Sequence, residues 1–161
     1  MLKTIDLPSG SAPSYAAVDA QRRPVILATL SVRIDQEAER FALESALETG
    51  AALIIANMLP LRVYPVTQAL ARDKMSLPHE EDLEAVRATA QRAAQLGIST
   101  ELLRVTSPRP LTALIEIALE RRPALVVLGP DRRLTPRWLL WRGARNVRRK
   151  LDCLVWIVPP R

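Results

Sequence analysis

The chain has 161 residues, of which 48% are apolar, 25% charged and 4% aromatic, and this fits one domain whose single core needs neither metal nor disulfide. One cysteine, Cys153, excludes an intramolecular bridge, and with only one histidine, His79, a Cys/His zinc cluster is excluded as well. The five glycines (Gly10, Gly50, Gly97, Gly129 and Gly143) stand too far apart to write GxGxxG or GxxxxGK[ST] anywhere.

The net charge of +6 is uneven: residues 130–161 hold nine basic residues and two acids, +7, which leaves −1 for the rest. No apolar run approaches the roughly 18 residues of a membrane span, and the N-terminus lacks an apolar signal core, so the expected location is the cytoplasm.

Residues 1–23, with Pro8, Gly10, Pro13 and several serines, have the composition of a flexible tail, and 24–161 are expected to form the domain. The run 24–30 (PVILATL) is apolar and β-branched, as a strand buried on both faces should be. Asp35 is placed to cap a helix with Ala38, Phe41, Ala42 and Ala46 on one stripe, and Gly50 to end it in a left-handed turn. A second strand follows at 51–58. The proline-bearing stretch 59–78 reads as a loop with one helical turn near 67–73. Residues 79–96 open with acids that suit the positive end of a helix, align Leu83, Val86, Ala90 and Ala93, and close at Gly97. The remainder predicts a partly alternating edge strand at 99–106, a helix at 112–121 started by Pro108 and Pro110, a buried strand at 124–129, a helix at 137–151 and a strand at 154–158.

Strands alternating with helices in this way demand parallel pairing through right-handed crossovers, giving an α/β fold with one open five-stranded sheet covered on both faces. In the common order 3-2-1-4-5 the ligand crevice lies at the carboxyl ends of the first and fourth strands, where the strand order reverses. That nominates Thr29, Leu30, Ser31 and Val32 after the first strand, Asn57 after the second, and Gly129, Asp131, Arg132 and Arg133 after the fourth.

Four pieces of the chain, in order and spacing, resemble the universal stress protein family. They are VILATL at 25–30, AAQLGI at 93–98, the block IxxALExxPALVVLG at 115–129, and a Cys-led last strand at 153–158. The resemblance covers about residues 24–158. It implies the family's nucleotide hydrolase-like fold and a stress-response binding role. Family members that bind ATP carry an acid at the end of the first strand and a Gly-x2-Gly-x9-Gly-[Ser/Thr] loop after the fourth. Here the acid position is Leu30 or Ser31, the first glycine is Gly129, the second is Arg132, and the closing pair is Arg142-Gly143, or Trp141-Arg142 in the other alignment. Those departures predict no ATP binding of the usual kind and no cofactor. Two readings of the arginines stay open. They hold a nucleotide or other phosphorylated ligand with their planar donors, or the site is lost and they form a solvated basic surface.

The helix predicted at 137–151 has Leu140, Ala144, Val147 and Leu151 on the stripe that must face the sheet, with Trp138, Trp141, Arg145 and Arg148 on an adjoining face of Arg137–Lys150. That face suits plain packing, an oligomer contact, or docking of nucleic acid, a membrane surface or an acidic partner. Gly143 in its middle weakens the helix by about 1 kcal/mol relative to alanine. Ser31 lacks a nucleophile elbow, the acids read as single solvated positions, His79 as an exposed residue at a helix start, and Cys153 as a small buried hydrophobe. A non-enzymatic binding module is expected. The uncharged run Leu154, Val155, Trp156, Ile157 and Val158 lies at a sheet edge and ends at Pro159-Pro160. The family's dimers commonly join through this strand, so a homodimer built there is expected, with Trp156 in or beside the contact.

Overall fold

The computed structural model describes residues 22–30, 34–60, 80–129 and 137–158. Residues 1–21 of the expected N-terminal tail, the helical turn expected near 67–73, Ser31, His79 and the segment 130–136 lie outside them. In chain order the elements are β1 (Val25–Thr29), α1 (Gln36–Thr49), β2 (Leu53–Pro60), α2 (Glu80–Gln95), β3 (Thr100–Ser107), α3 (Pro110–Arg121), β4 (Leu125–Leu128), α4 (Arg137–Lys150) and β5 (Leu154–Ile157). The sheet order is β3-β2-β1-β4-β5 and every pairing is parallel. This is the order predicted from the sequence. No helix among the described residues is long and apolar enough to cross a membrane.

The period of two along each central strand divides the core into two layers. Val25 and Leu27 of β1, with Leu53 and Ile55 of β2, face Ala38, Ala42 and Ala46 of α1 and Val86 and Ala93 of α2. The alternate residues Ile26, Ala28, Ile54 and Ala56 face Leu114, Ile115 and Ala118 of α3 and Ala144 and Val147 of α4. β1 is buried at all five positions, which is why its sequence shows no polar alternation.

The helix ends follow their capping residues. Asp35 Oδ1 accepts from the backbone N–H groups of Glu37 (2.9 Å) and Ala38 (3.3 Å), and Gly50 closes α1 at φ 60°. α3 ends differently. Its C-cap is Arg122 at φ 47° and ψ 58°, a left-handed conformation that glycine usually supplies. Its N–H donates to Ala118 O and its own carbonyl accepts from Arg23 Nε (3.0 Å).

Gly143 also has a packing reason. A Cβ there would collide with Leu111 Cδ1, so the glycine lets α4 lie close against α3. One acid departs from the solvated reading: Glu39 is buried on α1 and forms an ion pair with Arg92 of α2, Arg92 Nε donating at 2.8 Å. Glu39 borders the Ala38, Ala42 and Ala46 stripe, where an acid needs a partner on the neighbouring helix.

Candidate functional site

The strand order reverses between β1 and β4, and their carboxyl ends define the crevice. Thr29 ends β1 directly opposite Asn57 of β2 in the register. Both side chains are buried, and the Thr29 hydroxyl donates to Asn57 Oδ1 at 3.2 Å. The Asn57 amide nitrogen has no hydrogen-bond partner among the described residues. A buried amide nitrogen without a partner among the described residues, at the carboxyl end of the strands, suits a ligand or an ordered water.

Gly129 continues β4, its N–H donating to Ala28 O at 2.9 Å. It is buried against the first turn of α1: a Cβ there would lie 2.5 Å from Ala38 Cβ and 3.6 Å from Asp35 Cβ. The glycine therefore admits a helix rather than an open crevice. The N-terminus of that helix, which would otherwise attract an anion, is already capped by the Asp35 carboxylate and carries Glu37 and Glu39 in its first turn.

The remaining nominated residues divide. Leu30, at the end of β1, is half-buried and packs with the layer under α3 and α4. Arg142 is exposed on the side of α4 away from Ala144 and Val147, and Gly143 is buried between α4 and α3. Val32, Asp131, Arg132 and Arg133 fall outside the described residues. Cavities also lie elsewhere among the described residues. One of about 410 Å³ lies between Ser107, Arg109 and Glu116, and one of about 280 Å³ lies at the opposite end of the sheet between Arg22, Ser99 and Arg121.

At the sheet edge, β5 has no outer strand partner among the described residues. Leu154 is 74% exposed. Trp156 is half-buried and stacks on Phe41 of α1, ring centroids 4.5 Å apart. Cys153, just before the strand, is half-buried, and burial pushes its thiol above the ordinary range. The Arg23 guanidinium opposes that shift and Asp152 adds to it.

A doubly wound parallel sheet with its crevice between the first and fourth strands is the frame of a small-ligand-binding α/β domain. The sequence matches the universal stress protein family over residues 21–159, and the chain belongs to that family. Solved structures agree on the fold. The universal stress protein UspA from Lactobacillus plantarum is similar at TM-score 0.65 and 16% identity, over 86% of this chain and 99% of that one. A universal stress family protein from Burkholderia pseudomallei gives 0.59 and 20%, over 86% and 97%. A universal stress protein from Archaeoglobus fulgidus in complex with dAMP gives 0.52 and 22%, over 84% and 97%. No curated protein matches the sequence.

Proposed function

We propose that this protein is a non-catalytic universal stress domain of the cytoplasm that does not bind ATP in the manner of the family's ATP-binding members, and that it works as a homodimer through β5. The observation that carries the reading is the use of Gly129. The Cα of Gly129 packs against the first turn of α1, its N–H is spent on Ala28 O, and the nearest helix end carries carboxylates. The β5 edge is uncharged (LVWI), whereas the other edge, β3, carries Glu101 and Arg104. A charged edge discourages pairing and an uncharged one invites it.

A second reading has its own support in Asn57. Its amide nitrogen, without a partner among the described residues, suits a small ligand carrying acceptors. Nucleotide is then the natural class, since the Archaeoglobus relative is described in complex with dAMP. One panel separates the two: ATP, ADP, AMP, cyclic nucleotides and inorganic phosphate, scored by shift of the melting temperature, because a ligand that binds only the folded state must raise it. The first reading expects no shift at millimolar ATP. A shift that disappears in Asn57→Ala would overturn it for the second. Sedimentation at micromolar concentration is expected to give about twice 17.9 kDa, and Leu154→Lys to move the mass toward one chain. A wild-type monomer contradicts the dimer.

A further inference from the structure

Six of the fourteen residues of α4 are basic and none is acidic. Ala144 and Val147 are buried against the sheet. The helical period therefore turns Trp138, Trp141, Arg142, Arg145 and Arg149 to the other side, and all five are exposed, the tryptophans at 65% and 56%. Elsewhere among the described residues, three of the four helix arginines meet carboxylates, Arg40 with Glu44, Arg92 with Glu39 and Arg121 with Glu101, while Arg87 of α2 meets none. The exposed arginines of α4 meet none among the described residues. Arg148 turns aside to donate to Val155 O of β5 at 3.3 Å.

The helix dipole accounts for basic residues in the last turn, where Arg149 and Lys150 sit. It accounts for neither Arg142 and Arg145 in the middle of the helix nor the two indoles. A second copy of the same face would set cation against cation, which disfavours a symmetric contact there. A membrane-surface helix needs a continuous apolar stripe toward the lipid, and the stripe of α4 is buried in its own core. An acidic peptide would satisfy the guanidinium groups and leave the indole faces uncovered. A single nucleic-acid strand brings phosphates and unpaired base faces in alternation, and this face offers both complements.

We propose that the exposed face of α4 binds single-stranded nucleic acid, with phosphates on Arg142, Arg145 and Arg149 and bases stacked on Trp138 and Trp141. The two indoles are three residues apart, a rise of about 4.5 Å along the axis, and the three arginines span about 10 Å. Three neutralised phosphates give a slope of log affinity against log salt of about −2 for a single strand. None of these five residues belongs to the Thr29–Asn57 pair on which the nucleotide reading rests, so the proposal stands whether or not a nucleotide binds there.

The test is fluorescence anisotropy of labelled oligo-dT and oligo-U twelve-mers between 50 and 200 mM salt, with tryptophan emission followed in parallel. Binding with a slope of about −2 and quenched emission is expected. The variant Trp138→Ala/Trp141→Ala should lose at least about tenfold in affinity with its salt slope unchanged. Arg142→Ala/Arg145→Ala should flatten the slope by about 1.4. Circular dichroism is used to check that both variants fold. No binding at 50 mM salt overturns the proposal. So does equal affinity for duplex or heparin with the tryptophan variant unaffected, which marks a plain polyanion site. Binding to phosphatidylserine vesicles without binding to oligonucleotide also overturns it.

Discussion

Replacing Gly129 with alanine sets a methyl where the first turn of α1 already lies. The new Cβ would fall 2.5 Å from Ala38 Cβ, against about 3.5–4.0 Å for carbon atoms in favourable contact. Ala38 is fully buried and has no rotamer to change, so relief requires moving α1 or β4. Overpacking of this kind costs about 1–3 kcal/mol. For a domain of this size each kcal/mol lowers the melting temperature by about 2–4 °C, so a fall of about 2–12 °C is expected. Urea denaturation at fixed protein concentration should show the same loss in its midpoint with the slope unchanged. The cause is isolated by a double-mutant cycle with Ala38→Gly, which removes the methyl being struck. In that background Gly129→Ala should cost about 1 kcal/mol less than it does alone, beyond the roughly 0.3–0.5 kcal/mol scatter of independent sites. Additive losses, or a neutral Gly129→Ala, would refute the packing role and return this glycine to an open crevice.

Arg122→Gly should stabilise the protein by about 0.5–1 kcal/mol, because a non-glycine residue in the left-handed region costs about 1–2 kcal/mol and glycine gives part of that back in unfolded-chain entropy. The bonds at Arg122 use its backbone and survive the change. A lower melting temperature would contradict this. Arg92→Met leaves Glu39 buried without its cation, and a loss of about 1–2 kcal/mol is expected once solvent screening of the half-exposed arginine is allowed for. Adding Glu39→Gln should recover part of that loss in chemical denaturation, and no recovery would count against the pair. The Cys153 thiol, held protonated by burial, should react with iodoacetamide at pH 8 more slowly in the folded protein than in urea. Its folded-state value lies above the unfolded one, so the stabilisation is present at neutral pH and is lost as pH rises through the usual thiol range and above. Equal rates would contradict the burial.

The sheet was legible because four of its strands are near-continuous apolar runs and the helices between them carry their own stops. Asp35, Gly50 and Gly97 fix α1 and the end of α2 by local chemistry, and local chemistry is readable from one sequence. The left-handed end of α3 left only Pro123 as its signal, because Arg122 does what a glycine would have announced. The purposes of Gly129 and Gly143 were not legible. Both are set by neighbours more than thirty residues away, Ala38 and Leu111, that only the folded chain brings within contact. The partner of Glu39 was hidden for the same reason: its position beside a buried stripe demanded a cation, and nothing in the sequence said that Arg92 would supply it. Thr29 and Asn57 were nominated separately from the ends of two strands, and their pairing depends on the register of β1 against β2.

The central claim is the proposal that this chain does not hold ATP as the family's ATP-binding members do, which rests on Gly129 packing against α1 and its carboxylate cap. Titration calorimetry of the full chain with magnesium-ATP tests it most directly. No saturable heat with a Kd below about 1 mM is expected, equivalent to less than about 4 kcal/mol of binding free energy. A Kd in the micromolar range would contradict the account.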